Sequence, residues 1–235
     1  MALYKLYPNA LEPSACQKIR DGLAHSPRMG KSPLNAHFAQ SRGFAFTCKK
    51  NGLPQVHRQE PQLEEALAQI FSPKNQEDLK PWYQRLNLKT PNAFYINVLF
   101  LPASDGVTPH IDATLARPDE VETCRPEYVS VLYLNGFQRD EGGHLELLQD
   151  KQTLTTIEPQ EGLLLRFAGH LKHAINAFKP LEPTSVRASI ICEHYHFAGT
   201  KLASIPDYKE HRRQPFANYL KEAKVRDAQV DVEYG

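Results

Sequence analysis

The chain has no apolar run near the ~18 consecutive residues that a helix needs to cross a bilayer, so the sequence predicts no membrane span. It also lacks charge of one sign. Its 28 Lys and Arg stand against 27 Asp and Glu, a formal +1, which leaves no broad basic field for nucleic acid. Cysteine is sparse: Cys16, Cys48, Cys124 and Cys192 are scattered, with no Cys-x-x-Cys pair. That excludes a disulfide framework or thiolate metal cage and fits reduced, structural thiols of a cytoplasmic protein. Residues 1–8 lack the basic and apolar regions of a signal peptide. There is no internal repeat, low-complexity tract or linker, so the 235 residues are expected to form a single domain.

What is present is an ordered set of short elements. Residues 2–7 read as a strand. A helix is expected from Leu11-Glu12-Pro13-Ser14-Ala15-Cys16, with Pro13 in its first turn and Cys16, Ile19 and Leu23 at helical spacing. Residues 26–53 read as loop with a short strand at 44–48. Helices are expected at 61–71, where Leu63, Leu67 and Ile70 share a face, and at 77–86. The latter carries Trp82, the only tryptophan, which with Tyr83 reads as packing. From residue 93 the pattern changes. Strands are expected at 93–101, 128–134, 144–148, 153–157, 163–167, 173–178 and 186–197, separated by Gly, Pro and Asp turns. Residues 114–126 form a polar loop long enough for a lid. The charged tail, 201–235, carries a further expected helix near 215–224 that packs outside or meets another subunit. The fold class is mainly β (α+β), a sandwich or barrel.

Thr108-Pro109-His110-Ile111-Asp112 is the stretch around which this pattern is organised. In extended chain, residues i and i+2 face the same way, so His110 and Asp112 present an imidazole and a carboxylate together. A second histidine would complete the two-His-one-carboxylate triad that leaves positions open on non-haem Fe(II). The candidates are His144, His170, His173, His194 and His196. His173 is the best choice, since it follows the turn Pro159-Gln160-Glu161-Gly162 and the strand 163–167 and opens a strand of its own. Further on, Arg187 heads the last apolar strand with Ser189 on the same face. An Arg and a hydroxyl so placed can hold a carboxylate by a fork plus one more hydrogen bond.

The other polar residues have plainer readings. His170 lies in the turn before His173, and His194 and His196 are expected to cap an outer strand. Arg117, Arg125, Arg139 and Arg166 are expected at the solvated surface, with Arg117 also a candidate substrate contact. His144 either faces substrate or is a hydrogen-bonded structural histidine. Gly142-Gly143 is a poor phosphate loop, because no Lys-Ser/Thr and no helix follow. Glu161 reads as a turn residue.

The ordered set resembles the Fe(II)/2-oxoglutarate-dependent dioxygenase superfamily, most closely its prolyl-4-hydroxylase-like branch. That branch runs His-x-Asp, a strand ending Tyr-Leu-Asn, Gly-Gly-x-Leu, Pro-x-x-Gly with an apolar strand, His, then Arg. Here stand His110-Ile111-Asp112, Tyr133-Leu134-Asn135, Gly142-Gly143-His144-Leu145, Pro159-Gln160-Glu161-Gly162, His173 and Arg187, in that order. The helix beginning at Leu11 is similar too. The resemblance implies a double-stranded β-helix core of jelly-roll or cupin-like form over residues 93–197. Helical support over 1–92 and a C-terminal extension over 198–235 would flank it. It implies a catalytic Fe(2+) on His110, Asp112 and His173. It implies 2-oxoglutarate as cosubstrate, its distal carboxylate on Arg187 and Ser189, with Tyr95 or Asn97 assisting. O2 is the oxidant and ascorbate a stimulant. The implied reaction oxidises a C–H bond while 2-oxoglutarate becomes succinate and CO2. Halogenating members carry Gly or Ala where Asp112 stands, so hydroxylation or a related oxidation is the expected outcome. Two departures stand out. Some members of the branch use Lys in place of Arg187, and the tryptophan usual near the end of the last strand gives way to His194-Tyr195-His196-Phe197.

The expected substrate is a small molecule, an amino acid or metabolite, with residues 114–126 and 35–50 shaping its pocket. A protein or peptide side chain of the prolyl type is the alternative and would need an open groove. The alternative from another class is a non-enzymatic cupin-like metal binder; the Arg187/Ser189 pair argues against it, because simple metal binding needs no carboxylate anchor. Nucleic-acid and membrane partners are not expected, and a homodimer is compatible with the tail.

Overall fold

Ala93–Leu101 carries no charge and is buried at every position, a pattern that suits a strand covered on both faces. A computed structural model of the chain describes residues 3–31, 41–72, 80–104, 106–116, 124–150 and 152–211. Its strands, in chain order, are β1 (Tyr4–Tyr7), β2 (Gly30–Lys31), β3 (Arg42–Lys49), β4 (Ala93–Leu101), β5 (Val107–His110) and β6 (Tyr128–Tyr133). They continue with β7 (Leu145–Gln149), β8 (Gln152–Ile157), β9 (Leu164–Ala168), β10 (Lys172–Ile175), β11 (Arg187–Tyr195) and β12 (Tyr208–His211). The large sheet has the order β1-β9-β6-β11-β4-β3-β12, with β2 beside β3, and the small sheet the order β5-β10-β7-β8. All pairings are antiparallel.

Alternation along each strand sorts side chains between two cores. Phe94, Ile96, Val98 and Phe100 of β4 join Phe44 and Phe46 of β3 and Ile190 and Cys192 of β11. Against this face pack helices α1 (Pro13–Ala24), α2 (Leu53–Gln59) and α3 (Glu64–Ile70). α1 starts at Pro13, as expected, and buries Cys16, Ile19 and Leu23. The opposite face sets Leu99, Leu101, Val129, Val131, Tyr133, Leu165 and Phe167 against Leu145, Leu147 and Ile175 of the small sheet. Two facing antiparallel sheets, with helices on the outside of the larger, make a double-stranded β-helix. All four cysteines are buried, and none of them is in a disulfide. Among the described residues no helix is long and apolar enough to cross a membrane.

Several elements differ from the sequence reading. β3 runs over 42–49, longer than expected, because it is an interior strand between β4 and β12. α2 fell inside an expected junction; it buries only Val56, too little to show as a periodic stripe. β12, Tyr-Lys-Glu-His, reads as surface and becomes a strand only by pairing with β3. A short helix at Gly199–Ser204 was likewise not expected. Arg166 is not at the surface. β9 is interior, so alternation turns Arg166 toward the helices, where it is fully buried and its Nη2 donates to the Ile70 carbonyl at 2.6 Å. His194 does not cap an outer strand: β11 is central, and His194 is fully buried with its ring stacked on Tyr128 at 4.0 Å. The helix expected at 77–86 is described over Lys80–Leu86; the helix expected near 215–224 lies outside the described residues.

Ile190 is fully buried in the helix-side core. Ile190→Ala should lower the unfolding free energy by about 2–5 kcal/mol in urea denaturation. Leu181→Ala, at a side chain 71% exposed, should change it by less than about 0.5 kcal/mol.

Candidate active site

Gly106 begins the approach to the site. Its φ is +97°, and a Cβ there would come 2.4 Å from the Ile175 carbonyl, so a side chain would collide with β10. β5 follows at the edge of the small sheet, where Pro109 is tolerated. Its register sets His110 directly opposite His173 of β10 and Val107 opposite Ile175, with a bulge between the pairs. Strand pairing, which the sequence does not display, thus gathers the two histidines. Asp112 arrives differently. β5 ends at His110, so the carboxylate is placed by the turn that follows and not by strand alternation.

The three side chains converge. Asp112 Oδ1 lies 3.6 Å from His110 Nε2, and its Oδ2 lies 3.5 Å from His173 Nε2. One ligand atom from each fits within a 4.8 Å span. Donors about 2.1 Å from a common ion, at right angles, would sit roughly 3 Å apart, so a small inward movement suffices for coordination. The Nδ1 atoms point away. That of His110 lies 2.9 Å from the Thr108 carbonyl and that of His173 3.5 Å from the Leu171 carbonyl. This arrangement orients a ligand imidazole and fixes its tautomer. Burial pushes the His173 pKa down to about 4, against the opposing pull of Asp112, so this imidazole is neutral with its lone pair available. His110 stands at the mouth, its side chain 38% exposed, while His173 is buried beside Phe167.

A second polar group lies on the inner face of the large sheet. Arg187 is 1% exposed, its Nε has no hydrogen-bond partner, and among the described residues no carboxylate is within ion-pair distance. Its Nη2 donates to the Tyr133 hydroxyl at 3.5 Å, and the guanidinium lies 5.1 Å from that ring's centroid. Ser189 is fully buried, and its Oγ is also without a partner. Tyr133 stands directly across from Ser189 in the β6–β11 register. Gly143 has a φ of +70°, and a Cβ there would touch the Arg187 Cδ at 3.4 Å, so the glycine pair leaves room for the arginine. A buried guanidinium without a counter-charge is costly, and an anion seated on Arg187, Ser189 and Tyr133 would satisfy all three.

The remaining expected site residues are more dispersed. Tyr95 and Asn97 lie on the same inner face, paired with Glu193 and Ile191. Tyr95 is roughly 20 Å along the sheet from the position opposite Arg187 and is near enough to Asp112 for that charge to raise its pKa, after burial and Glu193. It therefore flanks the triad and not the arginine; Asn97 lies between the two. His144 is buried, its Nε2 without a partner, and its backbone N–H donates to Asn176 Oδ1 at 2.8 Å. His170 is exposed, apart from the triad, and Arg117 lies outside the described residues. Two residues escaped the sequence reading. Tyr133 was noticed only as part of a motif. Glu193 belongs to no motif, yet it is 3% exposed, and burial, reinforced by the Asp112 charge, raises its pKa to about 8. Alternation from Arg187 would have turned both Ser189 and Glu193 inward, the one signal available.

No protein-family model matches the chain, and no curated protein matches it in sequence. Solved structures match in fold. A Pseudomonas putida prolyl-4-hydroxylase superposes with a TM-score of 0.54 at 17% identity, covering 83% of this chain and 94% of that one. A Trichoplax adhaerens prolyl hydroxylase, solved with a hypoxia-inducible-factor degradation-domain peptide, gives 0.53 at 16%, over 82% and 83%. The viral collagen prolyl hydroxylase of Paramecium Bursaria Chlorella virus-1, solved with 2-oxoglutarate, gives 0.51 at 15%, over 83% and 95%. The chain thus shares the fold of the prolyl hydroxylases.

The triad geometry makes a direct prediction. His173→Ala and Asp112→Ala should each abolish stoichiometric binding of a divalent metal in equilibrium dialysis while retaining the circular dichroism spectrum of the parent. Unchanged metal binding by Asp112→Ala would remove Asp112 from the ligand set.

Proposed function

We propose that the protein is an Fe(II)- and 2-oxoglutarate-dependent oxygenase that hydroxylates an unactivated C–H bond. The observation that carries this reading is Arg187: a buried cation without a counter-ion among the described residues, beside an unpartnered hydroxyl, on the same inner face that the triad approaches. A protein that only stored or sensed a metal would gain nothing from that arrangement. The donor set fits iron, with two neutral imidazoles and one carboxylate leaving positions open for cosubstrate and O2.

His110 and His173 would hold the metal through Nε2 and Asp112 through a carboxylate oxygen. Arg187, Ser189 and Tyr133 would bind the distal carboxylate of 2-oxoglutarate, the guanidinium by charge and the two hydroxyls by hydrogen bonds. When bound, the iron couples loss of CO2 from 2-oxoglutarate to oxidation of the substrate by O2. The protein's own part is placement and dryness. Leu99, Leu101, Val131 and Leu147 wall the inner face with buried apolar surface, which keeps water from the reacting groups.

The substrate reading that best suits the site is a small polar molecule. Tyr95, Asn97, Thr47 and His211 form a buried polar wall on the inner face, and Thr47 Oγ1 lies 2.8 Å from His211 Nε2. Such a wall suits a compact ligand that is hydrogen-bonded on several sides. A peptidyl substrate is the second reading, favoured by the peptide bound to the Trichoplax adhaerens neighbour.

Three experiments test these readings. Anaerobic addition of 2-oxoglutarate to the Fe(II) protein should produce a weak visible charge-transfer band. Arg187→Ala should raise the KM for 2-oxoglutarate by roughly 10- to 100-fold, the weight of a lost charged hydrogen bond. An unchanged KM would place the anchor elsewhere. Succinate release should be stimulated by free amino acids or related polar metabolites. Stimulation by prolyl peptides alone would decide for the second reading.

A further inference from the structure

Asp112 has to deliver its carboxylate to a point shared with two histidines, yet β5 ends at His110 and no strand ladder holds residues 111–116. A turn closed by the Ala116 N–H on the Ala113 carbonyl, at 3.0 Å, follows the aspartate directly. That turn is fastened to β11. Thr114 donates twice to Glu193, its N–H to Oε2 at 3.1 Å and its hydroxyl to Oε1 at 2.6 Å. The Tyr195 hydroxyl donates to the same Oε2 and accepts the Leu115 N–H at 3.4 Å. Leu115 and Ala116 pack on an apolar cluster that includes Tyr195, Phe197 and Ile205.

We propose that Glu193 is a positioning residue for the metal: with Tyr195 it clamps the turn after Asp112 to the central strand and so fixes the aspartate where coordination requires it. The role rests on the oxygenase reading of the triad. Three features support it. Both Glu193 oxygens are occupied by the turn and by Tyr195, so the carboxylate acts as a holder. The ligand atoms that converge belong to His110, Asp112 and His173, and Glu193 is not among them. Finally, β11 is paired with β4 along its whole length and with β6 through Glu193 and His194, so the clamp has a rigid base. A buried carboxylate is expensive unless its hydrogen bonds are needed, and two of its three bonds come from the one loop that carries a metal ligand, while the third holds the Tyr195 hydroxyl that accepts from the same loop. Partners that orient a ligand commonly alter metal affinity by about 10- to 100-fold when removed.

The clamp depends on hydrogen bonds and not on charge, which makes it separable by substitution. Glutamine at 193 can accept from the Thr114 N–H and Tyr195 hydroxyl with its oxygen and donate to the Thr114 hydroxyl with its amide. The probe is Mn(II), titrated into the full-length protein and followed by the electron paramagnetic resonance signal of the free ion, well below the unfolding temperature of each variant. Glu193→Ala should weaken Mn(II) binding by about 10-fold or more, and Glu193→Gln should stay within about 3-fold of the parent. Should Glu193→Ala not fold, Tyr195→Phe and Thr114→Val, each removing one hydroxyl, should each weaken binding severalfold. Parent-like Mn(II) affinity in Glu193→Ala, with binding abolished in Asp112→Ala, would overturn the clamp and leave the oxygenase reading standing. Equal losses in Glu193→Gln and Glu193→Ala would also overturn it, by showing that charge is what matters. A parent protein that binds no Mn(II) would overturn both.

Discussion

The structure depends on β11 being hydrogen-bonded from both sides. It runs antiparallel to β4 over all nine of its residues and to β6 from Ser189 to His194. A strand so held has no freedom to slip, because a one-residue shift would exchange its two faces. One face belongs to the helix-side core through the apolar Ala188, Ile190 and Cys192 and ends in the buried His194 ring. The other carries Arg187, Ser189, Glu193 and Tyr195, all buried. Burial of the first face therefore fixes the second. A single strand carries both Arg187, the proposed carboxylate anchor, and the support of the loop bearing Asp112, so the distance between them is a property of the backbone.

The two buried charged side chains on that face are handled in opposite ways. Glu193 is surrounded by donors, and the hydrogen bonds from Thr114 and Tyr195 to both of its oxygens offset the cost of burying it. Arg187 cannot lose its proton, and its Nε is left without a partner. The first group is complete within the chain. The second has no counter-ion among the described residues, and the carboxylate of the proposed cosubstrate would supply one.

Much of this was legible in the sequence. β4 was delimited at 93–101 because it is uncharged throughout, and α1 because Cys16, Ile19 and Leu23 recur under a starting proline. The triad residues were nominated from their types and order. What the sequence withheld was register. Nothing local tells that His110 faces His173, or that Tyr133 lies across from Ser189, since each pairing joins residues far apart in the chain. Arg166 and His194 were misread for the same reason. A charged or titratable residue is assigned to the surface by default, and only the position of β9 and β11 inside the sheet shows otherwise. β12 was missed because a polar edge strand has no pattern of its own and exists through its partner.

Register also explains why the site tolerates a departure from regular structure at the metal. The two histidines need no loop: each lies on a strand, and the pairing of β5 with β10 brings them to 4.3 Å between ring centroids. Ending β5 at His110 frees Asp112 to turn back toward both imidazoles, at the cost of the ladder bonds that would have fixed it. The hydrogen bonds from the turn to Glu193 and Tyr195 replace those lost bonds and transfer the constraint from the edge of the small sheet to the centre of the large one. The metal site thus ties the two sheets together at one end of the β-helix, with two donors on the small sheet and the third governed by the large one.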